Sequence, residues 1–153
     1  MKLFTGSAAR AMPKIVAPRL GYLKGSKGGE FLIDFSLLTA SSVLFDAVYV
    51  PGGAPSVRAL RAERDAIDWV TEAYRHCKAI AATGEGVDLI TACGLPPAGA
   101  EDDPALILEG KGSPATAVTR FVEAIAQHRN WLRGGKNRMV PTPGGELRGE
   151  EAS

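Results

Sequence analysis

The chain has 153 residues, and its 45% hydrophobic and 23% charged content suits one soluble globular domain with a core of its own. Eighteen basic against seventeen acidic residues leave a formal charge of +1, which excludes a nucleic-acid footprint and a polybasic membrane patch. No apolar run approaches the roughly 20 residues that span a bilayer, and residues 1–7 lack the apolar stretch of a signal peptide, so a cytoplasmic location is expected.

Residues 1–12 are small, polar and weakly patterned, and 1–13 reads as an irregular N-terminal segment. Pro13-Lys14-Ile15-Val16-Ala17-Pro18 reads as a short strand bracketed by prolines, better placed at an edge than at the centre of a sheet. The glycine- and lysine-rich stretch 21–29 predicts a loop or hairpin tip, 30–34 a short extra strand, and 34–38 a return towards the sheet. The clearest buried strand is 45–50, followed at once by Pro51-Gly52-Gly53.

An amphipathic helix is expected over 64–77, with Ile67, Val70, Ala73, Tyr74 and Cys77 on one stripe. Trp69 falls off that stripe, where it covers a neighbouring element or faces a partner. The next strand is 78–82, and a short helix over 85–92 is closed by Gly94 and Pro96-Pro97. An acidic, proline-rich loop over 95–104 leads to a last strand at 105–108. Ser113-Pro114 then starts a long helix to about Trp131, with Val118, Phe121, Val122, Ile125 and Leu132 as its core face. From Gly134 the composition predicts a disordered tail, 134–153.

This alternation of strands and helices implies an α/β fold with right-handed crossovers and a parallel sheet covered on both faces. Gly52, Gly53 and Gly84 then lie at the carboxyl edge, where such folds place their sites. Cys77 and Cys93 make no disulfide framework, and with His76 and His128 they lack the spacing of a zinc site. Both read as buried or half-buried free thiols. Cys77 ends a helix, where the dipole disfavours a thiolate, so it is no candidate nucleophile.

The wording Ser-Val-Leu-Phe-Asp-Ala-Val-Tyr-Val-Pro-Gly-Gly from Ser42, then Glu-Ala-Tyr-Arg-His-Cys-Lys-Ala-Ile-Ala-Ala-Thr-Gly-Glu-Gly from Glu72, resembles the C-terminal domain of large-subunit haem catalases. Residues 14–21, 34–40 and 121–131 extend the resemblance, which covers about 14–131. It implies a flavodoxin-like three-layer sandwich with a parallel sheet, similar to the class I glutamine amidotransferase and DJ-1/PfpI superfamily. Active members of that superfamily carry a cysteine on the sharp strand-to-helix turn, where backbone N–H groups stabilise a thiolate and an oxyanion. The matching turn here is Ala82-Thr83-Gly84-Glu85, and it holds no thiol. Thr83 is read as a hydroxyl capping the following helix and Glu85 as a helix-start carboxylate. Pro51-Gly52-Gly53 matches the oxyanion loop. No residue is assigned a catalytic role; Gly52, Gly53, Ala82, Thr83, Gly84 and Glu85 outline a vestigial pocket.

The family's domain opens with a strand, an acidic turn and a helix that residues 1–13 do not match, so the domain over 14–133 reads as N-terminally truncated. Loss of the central first strand is expected to leave Ile15 and Val16 unpaired or shifted against 45–50. The resemblance implies a non-catalytic accessory domain that supports tetramer assembly and stability of a parent catalase, the enzyme of hydrogen peroxide detoxification. The haem belongs to the parent's other domain, and no cofactor or metal is expected in this chain. None of Tyr22, Tyr49 and Tyr74 suits an axial ligand. The expected partner is the haem-catalase core or a second copy, with no nucleic acid and no membrane. Two alternatives remain: a DJ-1/PfpI-type glyoxalase, deglycase or protease, with Thr83 activated by a base, and a chaperone-like holdase working through an exposed edge at Ile15 and Val16.

Overall fold

The computed structural model describes residues 2–5 as backbone, together with 11–25, 28–95 and 103–133. The expected tail, and the middle of the 95–104 loop, lie outside these residues. Six strands form one sheet: β1 (Lys2–Thr5), β2 (Met12–Ala17), β5 (Phe35–Ser36), β6 (Ala47–Val50), β7 (Ala79–Thr83) and β8 (Leu106–Glu109), in the spatial order β5-β2-β1-β6-β7-β8. A separate hairpin joins β3 (Tyr22–Lys24) to β4 (Glu30–Leu32). The helices are α1 (Ala54–Ala62), α2 (Arg64–Arg75), α3 (Gly86–Ala92) and α4 (Pro114–Ala126).

Strand alternation sets the three layers. Val48 and Val50, Ile80 and Ala82, and Leu106 face the core beneath α1, α2 and α3, which adds Val57, Leu60, Val70, Ala73, Leu89 and Ile90. Ala47, Ala79, Ala81 and Ile107 face the opposite side, where α4 lays down Ala117, Phe121, Ala124 and Ile125. The alanines on that face let α4 approach the sheet closely. The fold is the expected flavodoxin-like α/β sandwich, and β2, β1, β6, β7 and β8 take its 2-1-3-4-5 strand order.

Three expectations need correction. The segment 1–13 is not wholly irregular, because β1 occupies the central slot. It pairs antiparallel with β2 (Lys2 opposite Ile15, Thr5 opposite Met12) and with β6 (Lys2 opposite Tyr49, Phe4 opposite Ala47). The sheet is therefore mixed: β2–β5, β6–β7 and β7–β8 run parallel, and both partners of β1 run antiparallel. Ile15 is thus paired rather than loose, and Val16 is fully buried, so the edge on which the holdase reading rested is covered. An antiparallel neighbour close in sequence needs no crossover of a dozen or more residues, as a parallel one does, so a four-residue strand can take this slot.

The helices differ from the reading in detail. Residues 54–62 form α1, which begins after Gly53 with Pro55 in its first turn. In α2, Val70 and Ala73 are buried as expected, and Trp69 is buried too. Its indole Nε1 donates to the Ala40 carbonyl at 2.7 Å, so it covers the loop before β6. α4 ends at Ala126 rather than near Trp131; in it Phe121 and Ile125 are core, but Val118 and Val122 are exposed, as is Leu132 beyond its end, and Ala117 and Ala124 take the inward positions. The larger apolar side chains misled the phase of the stripe; the alanine-rich sheet face accepts small residues opposite it.

Candidate functional site

The turns after β6 and β7 meet at the carboxyl edge. Gly53 has φ +127° and Gly84 φ +54°, backbone conformations that favour glycine. The approach is close: a Cβ on Gly86 would collide with the Val50 carbonyl, and one on Gly52 would lie 2.8 Å from Glu85 Oε2 and 3.3 Å from the Thr83 carbonyl. Gly84 N–H donates to the Glu109 carbonyl at 2.9 Å, which ties the turn to β8. The two glycine turns are packed against each other and locked.

Glu85 occupies the position before α3 but makes no capping bond there with its side chain. Its Oε2 instead accepts the backbone N–H of Gly53 at 2.9 Å. That hydrogen bond, with a smaller contribution from Glu85's own N–H, holds the carboxyl below its ordinary value of 4.5. The N–H that the resemblance assigns to an oxyanion loop is thus already engaged by a carboxylate of the same chain. Thr83 departs from expectation as well. It shares a face with Ala79 and Ala81, so it points towards α4 and away from α3. Its Oγ1 lies 2.8 Å from the Tyr49 hydroxyl, and it is buried. Ala82 faces the opposite core and is fully buried.

Of the six sequence-chosen residues, Gly52, Gly53, Gly84 and Glu85 come together, whereas Ala82 and Thr83 turn to opposite faces. Tyr49 was not anticipated as Thr83's partner. The signal was present, because Tyr49 and Thr83 both sit at outward-alternating positions of two adjacent parallel strands. Beside the glycine turn lies a cavity of about 640 Å³, walled by Val16, Pro18, Leu23, Pro51, Val57 and Leu60. Its lining is mostly apolar and holds no histidine, cysteine or carboxylate.

Cys93, Cys77 and Lys78 sit in structural settings. Cys93 is a free thiol whose value burial pushes up to about 11, which disfavours a thiolate. Cys77 is a buried free thiol at φ +59°. Lys78 is buried at the entry to β7, where its ammonium donates to the carbonyls of Ser42 and Phe45. Burial first, and the Arg129 charge second, lower its value to about 8. Among the described residues no group of three or more His, Cys, Asp or Glu is placed to hold a metal ion, and no helix is long and apolar enough to cross a membrane.

The tyrosines do not fit a haem. Tyr49 is engaged with Thr83 and lies beside Phe121, the Tyr74 ring lies 4.3 Å beneath the Arg133 guanidinium, and Tyr22 sits exposed on the β3–β4 hairpin. None of the three lines the cavity.

Residues 4–135 match the family of the C-terminal domain found in long catalases. Catalase HPII of Mycobacterium avium is 41% identical over 132 residues, covering 80% of this chain and 19% of that protein. Catalase-2 of Bacillus subtilis is 36% identical over 124 residues, covering 78% of this chain and 16% of that protein. Catalase-1 of Neurospora crassa is 31% identical over 147 residues, covering 83% and 20%. The chain thus spans about a fifth or less of the curated relatives it matches. Among solved structures, a two-domain protein with DJ-1/ThiJ/PfpI-like and ferritin-like domains from Anabaena variabilis is 26% identical, with a TM-score of 0.49 over 52% of this chain and 23% of that one. By the family match along most of its length, the chain belongs to the C-terminal domain family of long catalases.

Proposed function

We propose that this chain is a non-catalytic accessory domain of a large-subunit haem catalase, which supports assembly and stability of the tetramer. Peroxide dismutation and haem belong to the parent's other domain, and the haem-bearing core is the partner. The observation that carries the reading is the state of the strand-to-helix turn. It has no thiol, its Thr83 hydroxyl faces Tyr49 in the α4 core, and the Gly53 N–H is held by Glu85. Gly52, Gly53, Gly84 and Glu85 form a vestigial pocket that a carboxylate of the chain itself fills. A nucleophile of the DJ-1/PfpI type would need a side chain projecting into that turn with a base beside it, and neither Ala82 nor Thr83 projects there.

The test mixes the chain with a large-subunit catalase from which the corresponding C-terminal domain is deleted. The accessory reading expects a rise in tetramer yield on size exclusion and slower loss of peroxide-consuming activity on heating. An unchanged assembly state and an unchanged inactivation rate would overturn it. The chain alone is expected to consume neither peroxide nor methylglyoxal.

A further inference from the structure

A second concavity lies at the other end of the sheet, away from the glycine turns. It is a cleft of about 280 Å³ between α2 and the loop that leads into β6, lined by Leu37, Leu38, Ser41, Ser42, Asp65, Asp68, Trp69 and Glu72. Asp65, Asp68 and Glu72 stand at i, i+3 and i+7 of α2, one stripe along one wall. The lining contains three carboxylates and no basic side chain. Asp68 and Glu72 touch Arg64 and Arg75 at 3.6 and 3.5 Å, but these are exposed pairs of little strength, and Asp65 makes no ion pair among the described residues. His76 Nε2 also lies 3.3 Å from Glu72 Oε2.

Two further observations bear on what the cleft takes. The Ser42 side-chain oxygen is fully buried in this wall and has no hydrogen-bond partner among the described residues, a cost that folded proteins rarely leave standing. The same loop also leaves Leu38, Val43 and Leu44 exposed at 78%, 52% and 67%. Two side chains anchor the loop's backbone. Trp69 Nε1 is bonded to the Ala40 carbonyl, and from the sheet side Lys78 donates to the Ser42 carbonyl at 2.5 Å. Behind the wall Lys78 directs its hydrogen bonds to backbone carbonyls rather than into the cleft.

We propose that this cleft is a docking site for an arginine side chain carried on an apolar-flanked segment of a partner polypeptide. The guanidinium matches the stripe of carboxylates, which it bridges with its planar fork of donors, and the aliphatic stem runs along Leu37 and Leu38. Apolar residues on either side of that arginine cover Val43 and Leu44. The carboxylates set the charge of the occupant, and the exposed leucines set its neighbours. This surface is separate from the vestigial pocket, and the inference stands whether or not the accessory reading does.

The experiment titrates the ¹⁵N-labelled full chain with the peptide Ac-Leu-Ser-Arg-Ser-Leu-amide, and with the same peptide carrying citrulline, the neutral isostere, in place of arginine. Expected are saturable shifts confined to the Trp69 indole N–H and the amides of 37–44 and 65–72, with the citrulline peptide about tenfold weaker. Asp65→Asn with Asp68→Asn, both exposed positions, is expected to weaken the arginine peptide about tenfold without altering the rest of the spectrum. Should that double variant perturb the fold, Glu72→Gln supplies the same comparison. Equal binding of the citrulline peptide, shifts centred elsewhere, or no saturable shift would each overturn the proposal.

Discussion

Arg133 grips Asp103 with two N–H donors, Nε to Oδ2 at 2.6 Å and Nη2 to Oδ1 at 2.9 Å, and both side chains are almost wholly buried. The guanidinium also donates through Nη1 to the Lys78 carbonyl at 2.6 Å and lies over the Tyr74 ring. Asn130 completes the clasp: its side-chain amide donates to Asp103 at 2.7 Å and its N–H to the Cys77 carbonyl at 2.9 Å. One short segment beyond α4 thereby ties together the entry to β8, the entry to β7 and the end of α2.

Breaking this clasp is expected to be costly. Arg133→Ala leaves a buried carboxylate without its partner, an effect of about 3–5 kcal/mol. Arg133→Lys restores the charge but not the fork, and should recover only part of the loss. Urea unfolding of both variants measures this; a loss within 0.5 kcal/mol of wild type for Arg133→Ala, about the scale of an ordinary surface change, would refute it.

Glu85 gives the glycine turn a pH signature. A carboxyl whose folded value lies below 4.5 stabilises the fold above that value, and the contribution is lost as pH falls through the lowered folded value. A carbon-detected carboxyl titration should find Glu85 below the ordinary range. A Glu85 titrating at its ordinary value in the wild type contradicts the contact.

The glycine packing is tested by Gly86→Ala. Its Cβ meets the Val50 carbonyl, a backbone atom that cannot rotate away, so a loss of about 1–3 kcal/mol is expected. Gly52→Ala meets the Glu85 side chain, which swings aside, so thermal melting should rank it clearly milder than Gly86→Ala.

Two groups, the buried Lys78 and the half-buried Cys93, act in opposite senses at alkaline pH. Lys78 has its folded value lowered from 10.5 to about 8, so its contribution to stability grows as pH rises through that window and is lost as pH falls back through about 8. Cys93 has its folded value raised from 9.0 to about 11, so its contribution is complete below 9.0 and is lost as pH rises towards 11. Urea midpoints of Lys78→Met and Cys93→Ala, each compared with wild type between pH 7 and 11, separate the two slopes. Parallel curves for wild type and variant would show that the group in question titrates as it does in the unfolded chain.

Residues 45–50 and 78–82 were legible as buried strands because short apolar runs lead towards glycine turns, and helices were legible over 64–77 by periodicity and from Ser113-Pro114 to about Trp131 by the start signal; the structure ends them at Arg75 and Ala126. Trp69 was not assigned, since its burial depends on a carbonyl 29 residues away. The exposure of Val118 and Val122 was equally hidden, because α4 takes its phase from the alanines of the sheet beneath it.

The absence of a thiol at Ala82-Thr83-Gly84-Glu85 was determined by sequence alone: no fold supplies an atom that the chain lacks. What fills the turn was decided by tertiary structure, because Glu85 and Gly53 meet only when β6 and β7 lie side by side. The central strand is the other case. Residues 2–5 carry too little pattern to be read as a strand, and they form one because β2 and β6 present unpaired backbone groups on either side, which burial leaves no alternative but to satisfy.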